Sequence, residues 1–350
     1  MNECIHIGGH PISKDDPTYV IAEMSGNHNM DFNRAVKILE AAKDAGADAI
    51  KLQTYTADTI TLDCDDECFQ ITQGTLWDGT TLHKLYEKAY TPWEWQPKLQ
   101  KMATDMGLDF FSSPFDFSSV DFLQNMNVPA YKIASFEITD IPLIRKVAKI
   151  GKPVIISTGI ATLADIELAV NTCKAEGNNQ IILLKCVSAY PTPYEDINLR
   201  TMVNLADTFD CIVGLSDHTM GDTVAVASVA MGAKVVEKHL TLSRADGGVD
   251  SAFSMEPQEF KHMVESIRIV EKAMGKVTYE LTEKQKRERE HARSLFIAQD
   301  MKAGEVLNES NMRSVRPANG LHTKYYDELL GKRVNRDVKL GTPLSWDIIG

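Results

Sequence analysis

The chain has 350 residues, 43% of them hydrophobic and 25% charged, with a formal net charge of −12. That length suits one large domain plus a small one, or a barrel with an appendage, and the acidic balance argues against a nucleic-acid surface, which needs clustered basic residues. No stretch approaches the ~20 apolar residues of a membrane span, the start MNECIHIGGHPISKDD lacks the regions of a secretory leader, and six scattered cysteines read as reduced thiols, so a cytoplasmic protein is expected.

Residues 19–25 (YVIAEMS) predict a short buried strand leading into Glu23, Ser25, Asn27 and His28. Asp31 can cap an amphipathic helix over 32–45, with Gly46 closing it. A second strand follows in DAIKLQTY (48–55), where Lys51 and Gln53 share one face. Lysine inside an apolar strand is rare unless paired, so Lys51 is a candidate functional residue. Residues 56–95 break the rhythm with CDDEC, a helix around Trp77 and a Thr91-Pro92 turn, which predicts a lid or specificity element. Cys64 and Cys68 make at most half of a zinc site, since no second pair stands nearby.

After a helix over 93–106 the alternation resumes. DFFSSP carries Ser112 and Ser113, AYKIAS carries Lys132 and Ser135, PVIISTG carries Ser157 and Thr158, and IILLKCVS carries Lys185 and Ser188. Helical patterns separate them at 118–126, 140–150 and 162–176. The segment 211–241 then reads strand, helix, strand; Ser216 and His218 share one strand face, and so do Glu237 and His239. Eight strands alternating with helices predict a (β/α)8 TIM barrel, with His218 and His239 side by side at the C-terminal strand ends. Helix 256–274 ends the barrel at Gly275. Residues 276–292 form a charged linker, and 293–350 read as short strands that bury little core of their own. Arg316, Pro317 and His322 are the polar features of that tail.

Lys51 and Lys132 would project into one barrel mouth ringed by Ser113, Ser135, Ser157, Ser188 and Ser216. That set suits a small anion bearing phosphate and carboxylate. The two histidines fit a divalent ion of the Mn²⁺ or Mg²⁺ kind, or else a hydrogen-bonded structural pair. Glu23 and Glu137 can hold sugar hydroxyls, move protons, or pair with the lysines. A Schiff base on Lys132 or Lys185 is the rival chemistry. A non-catalytic carbohydrate- or ice-binding protein is the rival class, and the tail lacks the repetitive Thr-rich face it would need.

The motifs IAEMSGNH, GADAIKLQTY, FFSSPFD, AYKIASFE, STGIAT, YPTPYED, GLSDHT and VEKHLT resemble the sialic acid synthase family. The tail AGEVLNESNMRSVRPANGL is similar to that family's antifreeze-like (SAF, β-clip) domain. The resemblance implies a synthase barrel over 1–275, a linker over 276–292 and an SAF domain over 293–350. It implies a transferase that condenses phosphoenolpyruvate with an acetamido sugar, using Mn²⁺, Mg²⁺ or Co²⁺, in a domain-swapped homodimer. Lys51, Ser113, Lys132, Ser135, Ser157, Ser188 and Ser216 would then bind phosphoenolpyruvate, and His218 and His239 the metal. Glu23, Gln53, Glu137, Tyr190 and Asp250 would contact the sugar. Glu23, Glu137, His218 and His239 would be catalytic, and Arg316 would reach the partner's sugar site. Ser188 stands where N-acetylneuraminate synthases have asparagine. The segment 74–95 resembles the branch that uses 2,4-diacetamido-2,4,6-trideoxy-L-altrose to make pseudaminic acid, with legionaminic and N-acetylneuraminic acid synthesis as the alternatives.

Overall fold

An antiparallel hairpin, β1 (Ile5–Ile7) and β2 (His10–Ile12), precedes the main sheet in this computed structural model, which describes residues 4–72 and 74–350. Gly8 and Gly9 make its two-residue turn, and Gly8 adopts φ +56, a conformation open to glycine at little cost. His10 Nδ1 and the Tyr19 hydroxyl both lie 2.8 Å from the Asp109 carboxylate, which ties the hairpin to the barrel.

Eight parallel strands follow: β3 (Tyr19–Glu23), β4 (Ala49–Thr54), β5 (Asp109–Pro114), β6 (Tyr131–Ile133), β7 (Val154–Ser157), β8 (Ile181–Lys185), β9 (Ile212–Asp217) and β10 (Val235–His239). They close in sequence order, with β10 pairing back onto β3. This is the expected TIM barrel. Runs such as Ile181–Leu184 are wholly buried because helices cover a sheet whose other face fills the barrel. At Gly214 an added Cβ would lie 2.1 Å from the Val235 carbonyl oxygen, so only glycine allows β9 and β10 to approach this closely.

The helices follow their caps and periodicity. Asp31 accepts from the Asn33 and Arg34 amides to start Phe32–Asp44, and Gly46 leaves it at φ +84. Ala35, Ile38, Leu39 and Ala42 form its buried stripe. The helix Arg200–Phe209 after β8 is an addition to the sequence-based expectation. The expected helix around Trp77 is absent. Trp77 sits in a turn that the Asp78 carboxylate organises by accepting from the Gly74 and Thr75 amides. The helix of the insertion is Leu82–Ala89, capped by Thr81.

The first compact unit ends at Gly275 and the second is Lys276–Gly350. Residues 276–293 are exposed throughout and include the helix Glu283–Glu288. Strands β11 (Ser294–Ile297) and β12 (Met312–Val315) pair antiparallel. Contrary to expectation, this unit buries a core of its own, including Leu295, Ile297, Leu307, Met312, Val334, Leu344 and Ile348. Those residues come singly from very short strands and bridges, so no periodic stripe announced them.

Candidate active site

The C-terminal strand ends surround a cavity of about 530 Å3. Strand alternation supplies its floor: Glu23 from β3, Lys51 and Gln53 from β4, Ser113 from β5, Lys132 from β6. Ser157 closes β7, Ser216 and His218 come from the end of β9, and Glu237 and His239 from β10. Ser135 and Glu137 lie on the short 3-10 helix after β6, and Tyr190 and Asp250 on the loops beyond β8 and β10. Thirteen of the sequence-derived site residues thus converge. Ser188 is not among the lining; its hydroxyl lies beside Gly159, where an added Cβ would meet it at 2.3 Å and the lining Ser135 hydroxyl at 2.6 Å. Arg316 is exposed on the second unit, and His322 Nδ1 accepts from the Lys324 amide within its own turn.

Four charges meet at the floor. Lys51 Nζ lies 2.6 Å from Glu23 Oε2 and 3.8 Å from Glu237 Oε1, and Lys132 Nζ lies 3.5 Å from Glu237 Oε1. Ser216 donates to Glu237 at 3.2 Å, and Lys51 to Ser113 at 3.4 Å. Gln53 donates to Glu23 at 2.9 Å and to Ser25 at 3.1 Å, and Ser25 bonds Asp250. Burial opposes charge on Glu237, but Lys132 and Lys51 outweigh it and hold its carboxyl low. Burial raises Glu23 despite Lys51. For Lys132 burial prevails over Glu237 and lowers its pKa. At Glu137, burial outweighs the pull of its own backbone amide and of Lys132 and pushes the carboxyl up to about 7. Glu137 Oε2, Ser157 Oγ, Glu237 Oε2 and His239 Nδ1 are buried without a hydrogen-bond partner, which marks them as ligand-seeking atoms.

The two imidazole rings lie 5.3 Å apart between centroids. His218 Nδ1 is 3.1 Å from the Val187 carbonyl, which fixes that ring nitrogen as the donor and frees the other. Burial, then the His218 and Lys51 charges, hold His239 well below the usual imidazole range. At His218 burial is outweighed by Cys186 and the Val187 carbonyl, which raise it, so this ring would have to give up its proton to hold a metal. Phe253 packs on both rings and Tyr190 on His218. Among the described residues no cluster of three or more His, Cys, Asp or Glu has metal-site geometry. His218 and His239 are the two imidazoles that could hold an ion here, with its other positions left to non-protein oxygens. Lys185, the other Schiff-base candidate, is absent from the cavity and donates to the Cys186 carbonyl at 2.9 Å.

The sequence placed Glu237 on the His239 face without giving it a role in the site. The insertion over 56–95, expected as a lid or specificity element, forms the roof, though none of its contacts was foreseen. Trp77 donates its indole N–H to the Val249 carbonyl at 2.9 Å and stacks 5.6 Å from Tyr190.

The NeuB family profile matches residues 38–279, and the SAF domain profile residues 292–349. The chain belongs to the NeuB family. It is 46% identical over 331 residues to the pseudaminic acid synthase of Campylobacter jejuni, covering 95% of this chain and 96% of that one. The N,N'-diacetyllegionaminic acid synthase of the same species is 38% identical, with 92% and 97% covered. The crystal structure of the N-acetylneuraminic acid synthetase of Leptospira borgpetersenii in complex with citrate superimposes with a TM-score of 0.72 at 31% identity, over 81% of this chain and 94% of that one. The NeuB-family assignment agrees with the sequence motifs, and the SAF match with the tail. Among the described residues, no helix is long and apolar enough to cross a membrane.

Proposed function

We propose that the chain condenses phosphoenolpyruvate with 2,4-diacetamido-2,4,6-trideoxy-L-altrose and water to give pseudaminic acid and phosphate. The near full-length similarity to a pseudaminic acid synthase, well above that to a legionaminic acid synthase, carries the choice of sugar. The floor supplies the chemistry. Lys51 and Lys132 face a phosphate and a carboxylate, and Ser113, Ser135, Ser157 and Ser216 donate neutral hydrogen bonds. The new bond joins the methylene carbon of phosphoenolpyruvate to the sugar's aldehyde carbon, and the aldehyde oxygen takes a proton. Glu137, still half protonated near neutrality, is the group poised to give it. Glu23, Gln53, Tyr190 and Asp250 orient the sugar.

His218 and His239 would hold a divalent ion, Mn²⁺, Mg²⁺ or Co²⁺. When bound, it supplies Lewis-acid polarisation of the carbonyl. The unpartnered Nδ1 of His239 supports this. The exposed apolar side chains Phe117, Phe136, Ile160 and Leu163, in the turns and first helical residues that follow β5, β6 and β7, support a homodimer, with Arg316 completing the partner's sugar site. Six free thiols suit a reducing, cytoplasmic setting.

A Schiff base on Lys132 is the second reading, favoured by its lowered pKa. Phosphate release from phosphoenolpyruvate against a panel of acetamido sugars decides the substrate. The trideoxy-altrose sugar should turn over fastest, and chelation should stop turnover until Mn²⁺ is restored. Faster release with N-acetylmannosamine would overturn the assignment.

A further inference from the structure

The cavity has two unlike halves. Its floor is polar and charged, while its roof comes from the insertion between β4 and β5. The helix Leu82–Ala89 turns Leu82, Leu85, Tyr86 and Ala89 toward the cavity, a spacing of three, four and seven residues that lines one helical face. Its charged residues, Lys84, Glu87 and Lys88, are absent from the lining. Ile60 and Ile71 extend the same surface. No charged group from the described residues of 56–92 lines the cavity.

An amphipathic helix ordinarily buries its apolar stripe in the core. Here none of Ile60, Ile71, Leu82, Leu85, Tyr86 or Ala89 belongs to the barrel's hydrophobic core. The stripe is held together locally, with Tyr86 packing on Tyr55 at 5.5 Å and Tyr55 on Phe115 at 5.2 Å; Ile71 and Ala89 are buried, while Leu82, Leu85 and Tyr86 are half-buried along the cavity wall. The Trp77 hydrogen bond to Val249 and the Tyr86–Tyr55 contact both hold it over the floor. A surface built this way is stabilised when something apolar covers it.

We propose that this face is the specificity subsite for the methyl-bearing end of the sugar, selecting a 6-deoxy sugar over one with oxygen at C6. The idea rests on the acetamido-sugar reading above and adds the residues that choose among such sugars. A C6 hydroxyl placed against Leu82, Leu85, Ile60 and Ile71 would find no partner there; of the roof's polar lining groups, the Thr75 hydroxyl already donates to Asp78 at 2.8 Å. A C6 phosphate would place a dianion there with no cation from the roof. Apolar pockets reject an added hydroxyl by up to about 100-fold and an ion far more strongly.

The test compares kcat/KM for matched 6-deoxy and 6-hydroxy forms of the same acetamido sugar, with phosphoenolpyruvate affinity followed by calorimetry. Wild type should prefer the deoxy form by about 10- to 100-fold. Leu85→Ser and Leu82→Ser should each cut that preference about tenfold, chiefly by losing rate on the deoxy sugar, with phosphoenolpyruvate affinity retained. Leu85→Met should keep the preference. Equal loss on both sugars, or no preference in wild type, overturns the subsite. If a different acetamido sugar proves to be the substrate, the assignment of the altrose fails. The deoxy/hydroxy ratio for that other sugar still decides the subsite.

Discussion

At Lys51 two demands meet in one side chain. It must neutralise Glu23 and Glu237, and on the proposed reading it must also face the phosphoenolpyruvate anion. Losing a charge-assisted hydrogen bond costs about 1.5–3 kcal/mol, so Lys51→Met should weaken phosphoenolpyruvate about 10- to 100-fold by calorimetry. Leaving a buried carboxylate unpaired costs more, about 3–5 kcal/mol, so thermal stability should fall as well. The two effects separate in Lys51→Met/Glu23→Gln, where stability should largely return while binding stays weak. Unchanged affinity in either variant contradicts the assignment. Glu137 gives the pH dependence. Its folded pKa of about 7 lies above the ordinary 4.5, so a proton is retained across neutral pH. Any stability it contributes is full below the ordinary value and is lost as pH rises through 7. Turnover that needs this proton should fall on the alkaline side of about 7. Glu137→Gln should remove that limb while slowing turnover about 100-fold or more. A limb that persists in Glu137→Gln belongs to another group.

Among the elements, the roof is tied across the cavity mouth by the Trp77 hydrogen bond to Val249, beside the Tyr86–Tyr55 contact. Trp77→Phe keeps an aromatic ring beside Tyr190 but removes the hydrogen bond to Val249. That bond is worth about 0.5–1.5 kcal/mol, so the sugar KM should rise roughly two- to tenfold with phosphoenolpyruvate affinity unchanged. Amide exchange over 74–90 should quicken; a variant with unaltered exchange and KM would show that the roof is held some other way. The barrel strands were legible because each pairs an apolar run with a polar end at fixed parity. Lys51, Lys132, His218 and His239 stand out against such runs. Glu237 was placed on the His239 face but given no role, because the sequence does not show which cations a buried carboxylate will meet. In the structure Lys238 is buried against Asp217 at 2.6 Å, and Glu237 serves the lysines. The β1–β2 hairpin was missed because its three-residue strands are too short for a periodic signal, leaving only Gly8-Gly9 as a cue. The Leu82–Ala89 face could be read as amphipathic, but the sequence does not reveal that it faces a cavity.

For the whole molecule, the expectation of active sites shared between subunits comes from the family resemblance and from Arg316 on the second unit. Arginine's planar fork suits a directed bond to an amide carbonyl. Mixing Arg316→Ala chains with His218→Ala chains should restore about a quarter of wild-type activity, since random pairing gives half heterodimers with one complete site each. Heterodimers as inactive as both parents would contradict sharing. On the proposed reading, one cavity joins phosphoenolpyruvate to an acetamido sugar without a lysine adduct. Quantifying phosphate and the new acid in one reaction, with borohydride added to a parallel sample for mass spectrometry, tests this most directly. One phosphate per nine-carbon acid, no phosphate without the sugar, and an unmodified Lys132 are expected. Sugar-independent phosphate release, or a substrate-derived mass trapped on Lys132, would contradict it.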